Sequence, residues 1–199
     1  MTPVPASRPA RERLLDAAGG LFYESGIAAT GVDAILARAG VSPATMYAHF
    51  AGKDGLVAAY LQQRHEAWQR TWDEVLAERD DPVERLLSVF DAVTRFRERG
   101  GNRRGCGFLA AATELPPGHP GRPWLDADSQ LLTGRLRDLA VTAGAGDPDD
   151  LAATLLLLYD GALSRYARGA TTPGLPGGDP LARARRLARE QVLAALGQS

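Results

Sequence analysis

The sequence has one cysteine, Cys106, so no intrachain disulfide can form. Lysine is almost missing: of 23 basic residues only Lys53 is a lysine. A formal net charge of −1 leaves no surplus of either sign, which speaks against a non-specific nucleic-acid binder or a membrane-surface protein. No apolar run approaches the roughly 20 residues of a membrane-spanning helix. The longest, 151–163, contains Asp160. The first nine residues are polar and proline-rich, with no apolar signal core, so the expected location is cytoplasmic. There is no nucleophile elbow, no phosphate loop and no Cys/His cluster, and His49, His65 and His119 are scattered. The expectation is therefore no enzyme, no metal and no cofactor. Cys106 has no resolving cysteine beside it and reads as a small, half-buried side chain.

What is present is helical. Hydrophobic residues make up 45% of the chain, enough to bury a core. Strand-like alternation is almost absent, and apolar residues recur at helical spacing. Pro9 marks the start of a first helix carrying Leu14, Ala18, Leu21 and Phe22, which Gly26 ends. Asp81-Pro82, Asp147-Pro148 and Asp179-Pro180 repeat one start device, an N-cap carboxylate followed by proline in the first turn. The spacing predicts an all-α chain of about nine helices, three short ones first. A boundary near residue 52 divides it into 1–52 and 53–199. Residues 1–6 and 170–178, rich in Pro, Gly or Thr, read as disordered.

Residues 31–50 read as helix, tight turn, helix. Gly40 is the turn residue, where positive φ is cheap only for glycine. Ser42 is a good N-cap and Pro43 the first helical residue. Met46 and Phe50, four apart, form the buried face of the helix that follows. Ser42, Pro43, Ala44, Thr45, Tyr47 and His49 are left for the other surfaces. Small residues at the start of such a helix let its backbone approach a DNA groove.

The stretch from Gly26-Ile27 through Thr30, Val32, Ile35, Ala39-Gly40-Val41-Ser42, Ala44-Thr45-Met46-Tyr47 and His49-Phe50 to Lys53-Asp54 and Leu56 resembles the N-terminal signature of the TetR/AcrR family of regulators. It covers about a quarter of the chain; the rest is similar in helix count, length and order. Gly31, Leu36 and Gly52 depart from the family's usual residues. The resemblance implies a homodimer with an N-terminal three-helix, helix-turn-helix DNA head (1–52) and a C-terminal helical body for ligand sensing and dimerisation (53–199). It implies that Thr30 anchors the second helix on phosphate. Ser42, Pro43, Ala44 and Thr45 would face the major groove, Tyr47 and His49 would touch the backbone, and Lys53 would pair with a phosphate.

The recognition helix lacks Arg, Asn and Gln, the usual bidentate base readers. The formal charge of residues 1–60 balances to zero apart from histidine, so positive charge has to be segregated by geometry. Arg8, Arg11 and Lys53 are the candidates. In the body, Trp68, Trp72, Phe90, Phe108, Trp124 and Tyr159 are candidates for the wall of a ligand pocket, with a plain core role as the alternative for each. Glu114 and Asp160 are possible polar anchors. Leu151, Leu155–Leu158, Tyr159 and Leu163 wrap most of one helix, as at a subunit interface; with Leu187, Val192 and Leu196 of the last helix they point to a homodimer through the last two helices. The function expected is a DNA-binding transcriptional regulator, a repressor released from a palindromic operator by a small-molecule effector. The alternatives are an activator, or an all-α ligand-binding protein or enzyme whose head does not read DNA.

Overall fold

The structure is a computed structural model that describes residues 8–100, 106–168 and 178–197. It is all-α: nine helices and no strand among the described residues. They are α1 (Ala10–Ser25), α2 (Val32–Ala39), α3 (Pro43–His49), α4 (Gly52–Ala77), α5 (Pro82–Gly100), α6 (Gly107–Glu114), α7 (Arg122–Ala143), α8 (Pro148–Ala167) and α9 (Pro180–Gly197). No helix among the described residues is long and apolar enough to cross a membrane. Of the disorder expected at 1–6 and 170–178, all but Gly178 falls outside the described residues.

Local chemistry sets the helix ends. Asp81 Oδ1 accepts the backbone N–H of Glu84 (2.9 Å), Asp147 Oδ1 that of Asp150 (3.0 Å) and Asp179 Oδ2 that of Ala182 (3.2 Å). Each carboxylate thus satisfies an amide that has no partner inside its helix and sits where the helix dipole favours negative charge. α1 starts one residue later than proline in its first turn would place it, with Pro9 at the N-cap position.

The chain packs as two units. The first holds the described residues up to Glu66 together with Gly107–Asp128. Its core joins Leu14, Leu15, Ile35, Met46, Leu56 and Leu61, all at most 3% exposed, and Phe22 meets Tyr60 edge-on at 5.5 Å between centroids. The second holds the described residues of Ala67–Cys106 and Ser129–Ser199. Its core is built on Trp72, Phe90, Leu86, Leu87, Leu136 and Leu155. There α5 and α9 are tied by ions: Arg185 reaches Glu84 (2.5 Å) and Asp91 (2.9 Å), and Arg189 also binds Glu84.

Candidate nucleic-acid interface

The helix-turn-helix is held by contacts that begin at Gly40. Its φ of +63° is left-handed, which costs a residue with a side chain about 1 kcal/mol. The turn lets the Gly40 and Val41 N–H groups cap the Leu36 carbonyl, the latter at 3.2 Å. From α1, Arg13 Nη1 donates to the carbonyls of Ala39 (2.9 Å) and Gly40 (3.1 Å). A cation at the C-terminal end of α2 also offsets the helix dipole. Sequence reading did not single out Arg13: nothing local shows that its side chain spans to a turn 26 residues away.

Past the turn, Ser42 adopts an extended N-cap conformation. Its Oγ accepts the Thr45 N–H (3.2 Å) and lies 2.9 Å from Thr45 Oγ1. Pro43 opens α3. Met46 is fully buried and Phe50 nearly so, which fixes the inner face. The opposite face is open: Ser42, Pro43, Ala44, Ala48 and His49 are exposed, and Tyr47 is 63% exposed, with Thr45 half-buried beside them. Ala48, one turn after Ala44, belongs to this face too; the fourfold helical spacing was the signal for it. Gly52, at φ +74°, makes the bend that starts α4. Lys53 follows in the first turn, with Nζ 3.4 Å from the Ala28 carbonyl.

Thr30 sits differently from these. It is 3% exposed, and its hydroxyl lies 2.6 Å from the Gly26 carbonyl and 3.3 Å from that of Leu21. Its one proton goes to the nearer oxygen, so the side chain holds the loop between α1 and α2. Glu114 serves the same loop: its carboxylate accepts the Ala28 N–H at 2.6 Å.

The basic residues are unevenly committed. Arg8 pairs with Asp16 (2.7 Å), and Arg38 binds Glu24 through two hydrogen bonds (2.9 and 3.0 Å). Arg13 is turned to the α2 end. Within residues 8–60 that leaves Arg11, stacked over Phe50 at 5.5 Å, and Lys53 as the cations with no carboxylate partner among the described residues.

An exposed α3 behind a glycine turn is the arrangement of a DNA-reading helix-turn-helix. The family "Bacterial regulatory proteins, tetR family" matches residues 14–60, which span α1 to the first third of α4. A solved TetR-type regulator from Streptomyces avermitilis, itself described as putative in function, is 34% identical, with 91% of this chain and 98% of that one covered and a TM-score of 0.72. The chain belongs to the TetR family. A TetR-family transcriptional regulator from Streptomyces coelicolor has the same fold: TM-score 0.78, 29% identity, 95% of each chain covered. The Escherichia coli HTH-type transcriptional regulator UidR is 33% identical over 83 residues, 42% of this chain. The chain thus matches only 39% of the length of that relative.

In this TetR-family chain the six aromatic residues read as pocket candidates do not share one unit. Trp68, Trp72, Phe90 and Tyr159 lie in the second unit, Phe108 and Trp124 in the first. Trp68 is the centre of an aromatic cluster, with ring centroids 5.6 Å from Trp72, 5.7 Å from Phe96 and 6.3 Å from Tyr159. The two tryptophans differ in one respect. Trp72 Nε1 donates to Ser88 Oγ at 2.9 Å, whereas Trp68 Nε1 is buried with no acceptor among the described residues. In the first unit Arg64 lies over Phe108 at 6.0 Å, and Trp124 faces His65 at 6.0 Å. Burial pushes the His65 imidazole below its ordinary value, against the pull of Glu66. Asp160 is exposed on α8, close in sequence to Leu157, which is 75% exposed.

Proposed function

We propose that this chain is a DNA-binding transcriptional regulator, a repressor that leaves a palindromic operator when a small-molecule effector binds. The observation that carries the reading is the open outer face of α3, held on a buried Met46–Phe50 anchor behind the Arg13-locked turn. In this reading Ser42, Pro43, Ala44 and Thr45 enter the major groove, Tyr47 and His49 lie along the backbone, and Lys53 with Arg11 meets phosphate. Thr30 acts by shaping the loop that carries Ala28, not by reaching the phosphate. A functional division at residue 52 keeps α1–α3 as the reading head and assigns α4–α9 to sensing and dimerisation.

Dimerisation through α8 and α9 is supported by Leu157 (75% exposed) and Leu193 (51%), large apolar side chains left open on two neighbouring helices. Leu151, Leu155 and Leu163 of α8 face inward and belong to the core instead. Two heads related by a two-fold axis meet two half-sites, hence the palindrome. Effector binding is supported by the Trp68 cluster, where a buried indole N–H has no acceptor among the described residues. Such an effector acts by preferring a body conformation that mis-spaces the heads.

Fluorescence anisotropy on the DNA flanking the protein's own gene, against random duplex competitor, tests the reading. Competitor-resistant binding that Tyr47→Ala abolishes, with dimer and helicity intact, is expected. Binding equal to the random duplex across all genomic fragments would refute it.

A further inference from the structure

We propose that α3 selects its half-site through the 5-methyl groups of thymine, read by an apolar face of Pro43, Ala44 and Ala48. The inference rests on the DNA-reading role proposed above and concerns which base chemistry that helix takes.

Three observations carry it. First, Val41–Phe50 contains no Arg, Lys, Asn, Gln, Asp or Glu. The bidentate pairings that distinguish guanine and adenine edges have no donor set here. Second, the two hydroxyls at the start of the helix, of Ser42 and Thr45, are turned to each other, and the third, on Tyr47, belongs to the side chain placed along the phosphate backbone. Ser42 Oγ takes the Thr45 N–H, and one of the two hydroxyl protons lies between Oγ and Oγ1 at 2.9 Å. Neither presents the paired donor and acceptor that a purine edge needs. Third, what α3 offers the groove is carbon. Ala44 and Ala48 stand at i and i+4 on one helical face, with Pro43 at its start, and all three are exposed. Met46 and Phe50 are held inside, so the helix cannot roll to present another face.

The thymine methyl is the apolar group that an unmodified major groove displays. Side chains as short as alanine bring the α3 backbone close enough to cover it. The polar remainder, exposed His49 with Arg11 over Phe50 and Lys53 beside the Ala28 carbonyl, suits phosphate, which positions without reading sequence. Covering one methyl group removes it from water, and losing it should weaken binding about fourfold.

The test uses the full chain. Bound duplexes are enriched from a random pool, and the enriched site is resynthesised with deoxyuridine in place of each thymine, which deletes only the methyl. Expected are thymines at fixed places in both half-sites, about fourfold weaker binding for each one replaced, and little change when guanines are replaced by 7-deazaguanine. Ala44→Gly should erase the sensitivity at one of those thymines while circular dichroism stays unchanged. Indifference to uracil together with a large loss on 7-deazaguanine would overturn the inference but leave the regulator reading standing. A pool that yields no enriched sequence would take down both.

Discussion

The carboxylate of Glu114, the last residue of α6, accepts the backbone N–H of Ala28, 86 residues earlier, at 2.6 Å. The same short loop carries the Ala28 carbonyl that Lys53 approaches and the Thr30 hydroxyl that closes on Gly26. A contact from the far part of the sequence therefore helps shape the entrance to α2. Replacing it should act locally. Glu114→Gln should raise the exchange rate of the Ala28 amide by the equivalent of about 1–2 kcal/mol of local opening. Operator affinity should fall while the urea midpoint barely moves. Hydrogen exchange by NMR reads the first and anisotropy the second; an unchanged Ala28 amide would contradict the role.

Trp68 and Trp72, one turn apart, should respond unequally to phenylalanine, each losing core volume to the smaller ring. Trp72→Phe also takes the indole donor from Ser88 Oγ, which keeps its own bond to the Arg85 carbonyl, and should cost about 1 kcal/mol more in urea unfolding. Trp68→Phe removes a buried donor that has no acceptor among the described residues, so it should be the cheaper of the two. Effector response should show the reverse order, with Trp68→Phe the more damaging. Truncating Trp72 to alanine is the wrong test, because a fully buried tryptophan costs about 3–5 kcal/mol on removal and the fold would fail first.

Acid should loosen the second unit through Glu84. Burial alone would raise its carboxyl, but hydrogen bonds from Arg189 and Arg185 outweigh that and hold it below the usual range. A depressed folded value means that the stabilisation is present above the unfolded pKa and is lost as pH falls through the folded one. Glu84→Gln should be less stable than the parent at pH 7 by about 1–2 kcal/mol, and the gap should close in acid. Urea curves taken between pH 7 and pH 3 check both. A gap constant with pH would show that the charge is not the source.

Leu157 and Leu193 are exposed, so charging them costs the single chain little. Leu157→Glu with Leu193→Glu should keep the helical circular dichroism yet sediment at half the parent mass at micromolar concentration, and operator affinity should drop with it. A double variant that remains dimeric would place the subunit contact elsewhere.

Much of this fold was legible residue by residue, wherever the cause is local. Each Asp-Pro pair starts its helix because carboxylate and amide lie three residues apart, and Ser42-Pro43 starts α3 for the same reason. Gly40 marks the turn because its own φ is positive. The open face of α3 follows from helical spacing around Met46 and Phe50. Distant pairings carried no such signal. Thr30 resembles a phosphate anchor in sequence, yet its hydroxyl turns inward to Gly26. Arg13 looks like any surface arginine until α1 packs on α2. The division of the chain is likewise a matter of packing: α6 joins the first unit through Glu114 on Ala28 and Arg64 on Phe108, and the start of α7 through Trp124 on His65. Which of two buried tryptophans finds an acceptor among the described residues depends on whether a serine from the next helix arrives beside it. Helix ends are set within a few covalent bonds, whereas the partner of a buried polar group is chosen only when separate helices come together.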